Sequence, residues 1–163
     1  MAAIHPHQAV IATPLGRIGI RMTGEAVSAL DYLPADVPEQ PPADAATQAV
    51  VAQLEAYFRD PQASFTVPLV LPGTAFQQRV WTALQAIPAG AVLTYGELAR
   101  RLDTAARAIG GACRSNPIPI LIPCHRVVSR QGLGGYAGEV TGDPLGIKRW
   151  LLRHEGVDTP LVS

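Results

Sequence analysis

Several features are scarce or missing in this chain of 163 residues, and each narrows what the protein can be. The sequence holds only two cysteines, which excludes a disulfide-rich scaffold. Its longest apolar stretch lies around residues 117–123, far short of the roughly 20 residues that cross a bilayer. The first residues lack the basic and apolar regions of a secretory signal peptide. We therefore predict a cytoplasmic protein without disulfides or membrane spans.

Charge is balanced over the whole chain but divided unequally between its halves. Residues 1–72 carry three arginines against seven acidic residues, a balance of −4. Residues 73–163 carry ten basic residues against six acidic ones, a balance of +4. Twelve of the thirteen basic residues are arginine, which suits planar contacts with phosphates and bases. The split is consistent with nucleic-acid contact through the second half, or with a chance distribution of surface charges.

The first half has the alternating pattern of a β-sheet. Apolar side chains alternate along 18–22, a Thr-Gly-Glu turn follows, and a second strand covers 27–32. Residues 65–71 return to strand-like composition. The Pro-Gly pair that follows marks the expected boundary between an N-terminal domain, 1–72, and a C-terminal domain, 73–163.

The second half is patterned as helices. Capping boxes open two of them, one at Thr74 and one at Thr94. Asp103 or Thr104 is then positioned to cap a further helix, 105–114. The helix that opens at Thr94 and the helix over 105–114 are short and are joined by a tight turn. This arrangement is typical of a helix-turn-helix unit.

The helix predicted over 105–114 is unusually thin. Alanine and glycine fill most of it, although glycine inside a helix costs stability. Such a helix suits either tight packing against a neighbouring helix or entry into a narrow groove. Arg107 is the side chain that projects from it.

A cysteine stands beside two cationic side chains. Cys124 follows Pro123 at the end of an apolar run and precedes His125 and Arg126. A thiol reacts as its thiolate, adjacent cations lower its pKa, and proline stiffens the support. The pattern fits a nucleophile, with a buried structural cysteine as the alternative. Cys113, in the thin helix, is expected to be buried and inert.

The last predicted helix places a carboxylate on its apolar face. Ile147, Leu151 and Glu155 recur at i, i+4 and i+8, and the helix stops at Gly156. The macrodipole also disfavours an acid in the final turn. Glu155 is therefore expected to have a partner inside the fold, the alternative being a frayed end with the carboxylate in water.

These features coincide with the motifs of a known family. The run Pro-Cys-His-Arg-Val at 123–127 resembles the active-site signature of the O6-alkylguanine-DNA alkyltransferases, also called methylated-DNA–protein-cysteine methyltransferases. The resemblance extends over about residues 73–156. Its other matching segments are 94–99, 105–112, 114–117 and 150–156.

The resemblance implies both a fold and a function. The fold is α+β, with a small RNase H-like α/β domain over 1–72 and a mostly helical domain with a winged helix-turn-helix over 73–163. The function is DNA repair: O6-alkylguanine, and also O4-alkylthymine, is flipped out of duplex DNA, and its alkyl group moves irreversibly to Cys124 in a single turnover. The expected partner is double-stranded DNA carrying the lesion. The protein is expected to be a monomer, with cooperative binding along DNA left open.

No cofactor or metal is expected. The chain has no methyl-donor or nucleotide loop such as G-x-G-x-x-G. Its two cysteines and four histidines match no zinc spacing.

The resemblance also assigns catalytic roles. Cys124 is the nucleophile, His125 its base through a water, and Glu155 the group that orients the imidazole. Tyr95 donates to N3 of the leaving guanine. Asn116 braces the turn between the thin helix and the active-site segment.

Further residues are expected to contact DNA or to line the base pocket. Arg107 fills the gap left by the flipped nucleotide. The other expected DNA contacts are Thr94, Ala106, Gly110 and Arg114. The expected pocket residues are Val127, Tyr136, Ala137 and Gly138. Ala137 stands where many family members carry serine, so a side-chain contact at that position is in doubt.

Other functions explain fewer of these features. A lesion-binding helix-turn-helix protein without chemistry would share Arg107 but would not need Cys124. A transcription factor would explain the basic half but not the Cys-His pair or Glu155. A Cys/His hydrolase would have no use for an arginine on a thin helix.

Overall fold

The computed structural model of the chain describes residues 7–130, 132–134 and 144–157. The chain divides into two compact units, and the division falls between Leu71 and Pro72. The predicted mixed α/β composition is confirmed. No helix among the described residues is long and apolar enough to cross a membrane.

The first unit is built on a three-stranded antiparallel sheet in the order β1-β2-β3. Its strands are β1 (Ala9–Thr13), β2 (Gly16–Thr23) and β3 (Ala26–Leu33), followed by helix α1 (Ala45–Arg59). The strands predicted at 18–22 and 27–32 are confirmed, whereas β1 was not predicted.

The strand-like segment 65–71 does not form a strand. It contributes only an isolated bridge between Leu69 and Val27. Pro68 and Pro72 have no backbone N–H, so a hydrogen-bonded ladder cannot continue through them. The segment is apolar enough for a strand, but Pro68 inside it and Pro72 directly after it prevent one.

The second unit is mostly helical. Its elements are α2 (Ala75–Gln85), β4 (Leu93–Thr94), α3 (Tyr95–Arg101), α4 (Ala106–Arg114), β5 (Val127–Val128) and α5 (Pro144–His154). Both capping boxes are confirmed, because the Thr74 and Thr94 hydroxyls each accept a backbone N–H three residues on.

The predicted side-chain cap of α4 is wrong. The N-cap residue is Ala105, and no side-chain hydrogen bond caps the helix. Asp103 has a φ of 54°, in the left-handed region, and so belongs to the turn between α3 and α4 rather than to a helix start.

Three contacts organise the second unit around its centre. β4 pairs in parallel with β5, which places the start of α3 beside the segment after Cys124. Trp81, buried in α2, donates its indole N–H to the Ala112 carbonyl at 2.9 Å and so ties α2 to α4. A short 3-10 turn, Cys124–Arg126, lies against α5.

Candidate active site and nucleic-acid interface

The segment before Cys124 is a strained turn held by Asn116. Ile120 has a φ of 75°, which is rare for a β-branched residue and costs about 1–3 kcal/mol. The Asn116 amide donates to the Ile122 carbonyl at 2.8 Å, and its oxygen accepts the Ile118 N–H at 2.9 Å. Asn116 also donates its own backbone N–H to the Cys113 carbonyl, at the end of α4. Asn116 thus joins the end of α4, through its backbone, to the segment before Cys124, through its side chain.

Cys124 and Cys113 are both buried, so exposure does not distinguish them. The two cysteines are 3% and 6% exposed. Burial raises the pKa of the Cys124 thiol, against the opposing effects of a hydrogen bond with the Asn116 side chain and the charge of Lys148. Burial raises the pKa of Cys113 to about 12. Cys124 is therefore a thiol, and not a thiolate, at neutral pH.

His125 is held by a buried carboxylate. Its Nε2 lies 2.7 Å from Oε2 of Glu155, and both side chains are fully enclosed. Its Nδ1 is buried and has no hydrogen-bond partner among the described residues. The ring is therefore oriented on one side and has a free nitrogen on the other, the arrangement needed in a general base. The interior partner expected for Glu155 is present.

Arg126 also binds Glu155, rather than acting on the thiol as its sequence position suggested. Its Nε donates to Oε1 at 2.8 Å, and its Nη2 donates to Oε2 at 2.9 Å. Its Nη1 donates to the Ile87 carbonyl, which fixes the plane of the guanidinium. This is a two-pronged charged pair inside the protein.

The charges of this group follow from burial and hydrogen bonding. Burial opposes ionisation of Glu155, but hydrogen bonds from His125 and Arg126 outweigh it and hold the pKa of Glu155 at about 2. Burial lowers the pKa of His125; Glu155 opposes this, and Arg126 and Lys148 add to it. At neutral pH the carboxylate is charged and the imidazole is not.

Lys148 is a functional candidate that the sequence reasoning missed. It is fully buried on α5, donates its Nζ to the Val127 carbonyl at 2.7 Å, and lies 5.7 Å from the Tyr95 ring centroid. Burial lowers the pKa of Lys148 to about 8, although both cysteines favour its charge. The sequence did contain an indication of this role, because Lys148 is the only lysine of the chain and it falls on the same apolar helix face as Leu151.

Tyr95 is fixed from a second side by a glycine. A Cβ placed on Gly134 would lie 2.8 Å from Cε2 and 3.1 Å from the hydroxyl of Tyr95. Gly134 also has a φ of 74°, so a side chain there would be strained as well. The ring of Tyr95 therefore lies close to both Gly134 and Lys148. Val127, whose carbonyl accepts from Lys148, stays a prediction as a pocket residue.

The outer face of α4 has the character of a docking surface. Ala106, Arg107 and Arg114 are exposed. A Cβ added to Gly110 or Gly111 would meet no atom of the described residues within 4 Å. The glycines therefore do not serve tight packing on a neighbouring helix, and the groove alternative is favoured.

The remaining expected residues fall into two groups. Thr94 uses its hydroxyl to cap α3, accepting the Glu97 N–H at 3.1 Å. The pocket residues Tyr136, Ala137 and Gly138 lie outside the described residues. Among the described residues, no group of three or more histidine, cysteine or acidic side chains is placed to hold a metal.

A family model matches more than half of the chain. It is described as the DNA-binding domain of 6-O-methylguanine DNA methyltransferase, and it covers residues 75–157. This match includes every group of the buried cluster around Cys124.

Sequence relatives carry the same description. A methylated-DNA–protein-cysteine methyltransferase of Shigella flexneri is 52% identical over 94 residues, which are 56% of this chain and 52% of that protein. The chain thus matches about half the length of that relative. The Mus musculus protein of the same name is 37% identical over 174 residues, covering 92% of this chain and 81% of its own.

A solved structure is similar over nearly the whole chain. The Mycobacterium tuberculosis OGT, solved in complex with DNA, is 39% identical with a TM-score of 0.75, covering 90% of each chain.

Proposed function

Because the chain belongs to the methylated-DNA–protein-cysteine methyltransferase family, we propose that it repairs O6-alkylguanine in duplex DNA by moving the alkyl group to Cys124. The observation that carries this proposal is the buried cluster in which His125, the residue after Cys124, is oriented by Glu155 and kept uncharged by burial. O4-alkylthymine is proposed as a second substrate. We propose a monomer acting in the cytoplasm on double-stranded DNA.

The chemistry is a direct displacement. The sulfur of Cys124 attacks the alkyl carbon, so an S–C bond forms as the bond from carbon to O6 breaks. His125 takes the thiol proton through its free Nδ1, by way of a water, and Glu155 stabilises the resulting imidazolium. Proton removal at the moment of attack suits a thiol whose resting pKa is raised by burial.

The leaving guanine takes up a proton at N3, which Tyr95 donates. The Lys148 ammonium near the face of that ring favours the developing phenolate charge. The same ammonium favours the thiolate of Cys124. The thiol proton on His125 replaces the proton that Tyr95 gives up, so the imidazolium and the phenolate return to neutral by proton exchange through solvent and the protons balance.

The protein is consumed by this reaction. The product is a thioether, and the proposal includes no cofactor to restore the thiol. Each molecule would then repair one lesion.

DNA is proposed to bind along α4. Helices α3 and α4 form the helix-turn-helix, with a wing completing it, and the first unit is the RNase H-like domain. The open glycines Gly110 and Gly111 let the helix backbone approach a groove closely. Arg107 occupies the gap left by the flipped nucleotide. The other proposed DNA contacts come from Thr94, Ala106 and Arg114.

The test of the proposed function is stoichiometry. Excess duplex carrying O6-[methyl-3H]guanine is incubated with a known amount of protein, and transfer is expected to plateau at one methyl group per protein. Continued turnover would exclude the single-use mechanism. Lesion binding without any transfer would support the non-catalytic alternative instead.

Arg107→Ala is expected to slow transfer from duplex DNA by about tenfold or more, with little change for free alkylated guanine. The physical reason is that only a duplex has a gap to fill once the base is flipped. Single-turnover rates on both substrates measure the effect, with the exposed Arg153→Ala as the matched control. Equal losses on both substrates would show that Arg107 serves the fold or the pocket.

A further inference from the structure

Glu155 has two cationic or potentially cationic partners, and they share its oxygens. Oε2 accepts from both His125 and Arg126, at 2.7 and 2.9 Å. Oε1 accepts from Arg126 at 2.8 Å. A permanent charge therefore already neutralises this carboxylate before His125 gains a proton.

Because Glu155, His125 and Arg126 are all buried, the way Glu155 shares its charge between the other two affects the protonation of His125. His125 and Glu155 are 0% and 4% exposed, and Arg126 is 9% exposed. With Arg126 in place, an uncharged His125 leaves the three side chains with no net charge. Without Arg126, the same neutral state would leave the buried carboxylate without a guanidinium charge beside it, which would favour a proton on His125.

We propose that Arg126 is a positioning residue that takes up the Glu155 charge and so keeps His125 uncharged and ready to act as base. The inference deepens the proposed function and rests on it for its kinetic consequence. Its electrostatic part concerns the DNA-free protein alone. Arg126 thus acts through Glu155 and not on the thiol.

The other charges around His125 do not change this conclusion. Lys148, from α5, also disfavours a charged imidazole. The neighbouring Cys124 is uncharged at rest, because burial raises its pKa. The segment after α2 contributes the Ile87 carbonyl, which accepts a hydrogen bond from Arg126 and holds its guanidinium in place. Glu155 is the attractive partner that Arg126 must share.

The expected result is a change in the titration of His125. In Arg126→Gln the pKa of His125 should rise above its ordinary value of about 6.5, and in the wild type it should lie below. NMR of the DNA-free protein measures this, with the His125 signal assigned by its loss in His125→Asn. Arg153→Gln, an exposed arginine on the same helix as Lys148, should leave the pKa of His125 unchanged.

Kinetics provide the second readout. Relative to the wild type, Arg126→Gln should lose about tenfold more transfer activity near pH 6 than near pH 8, since protonated His125 cannot act as a base. A merely structural role would lower the rate equally at both values. If the wild type transfers no alkyl group, the proposed function fails while the NMR comparison still stands.

Arg126→Lys keeps the experiment decisive if the glutamine variant does not fold. Lysine retains the charge but cannot bind both carboxylate oxygens, so the pKa of His125 should be higher than in the wild type. If the glutamine variant folds, the pKa of His125 in the lysine variant should lie between the values of the wild type and the glutamine variant. An unchanged or lower pKa of His125 in a folded Arg126 variant would overturn the inference.

Discussion

Cys124→Ala is expected to abolish alkyl transfer, by at least about 1,000-fold, because no other thiol can take the place of the nucleophile. Binding to lesion-containing duplex should persist, since the proposed DNA contacts lie on α4 and not at the thiol. Single-turnover transfer assays and a gel-shift titration measure the two properties. Loss of binding together with transfer would point to a structural role for Cys124.

Cys113 provides the matched control. It is also buried, burial raises its pKa to about 12, and it has no adjacent histidine in the sequence. Cys113→Ala should therefore retain transfer. After reaction with O6-methylguanine DNA, peptide mass spectrometry should find the methyl group on Cys124 and not on Cys113. Methylation of Cys113 would overturn the central proposal.

Glu155→Gln is expected to slow transfer by about 100-fold to 10,000-fold, because a neutral amide neither stabilises the imidazolium nor secures its orientation. It should also reduce the free energy of unfolding by about 3–5 kcal/mol, since the buried Arg126 loses its charged partner. Single-turnover rates and urea denaturation separate the two effects, and a variant with wild-type rates would exclude Glu155 from the reaction.

The same substitution should alter acid stability. The pKa of Glu155 is about 2 in the folded protein against an ordinary value of 4.5, so its contribution is complete above about pH 4.5 and is lost as the pH falls toward 2. Wild-type stability should fall through this window, and the fall should be shallower in Glu155→Gln. Urea denaturation at a series of pH values checks the difference. Parallel curves would mean that the ion pair with Arg126 adds nothing to stability.

Local features of this protein could be predicted from its sequence. The capping boxes at Thr74 and Thr94 depend on hydrogen bonds that span three residues, so the residues themselves specify them. The helical period likewise placed Glu155 on a buried face. Predictions failed where a nearby backbone constraint overrode composition, as with the prolines after residue 67 and the left-handed Asp103.

The candidate site was only partly predictable. The adjacency of Cys124 and His125 is a fact of sequence, and so is the family motif that contains them. The burial of Cys124, and with it the raised pKa of its thiol, depends on atoms brought in from distant parts of the chain.

The tertiary structure alone decided how the charges are paired. Arg126 is adjacent to the thiol in sequence, yet its guanidinium binds Glu155, 29 positions away. Lys148 reaches the Val127 carbonyl from 21 positions away. Residue order determines which groups are available, but the strength of a charge depends on desolvation and distance, which exist only once the chain has folded.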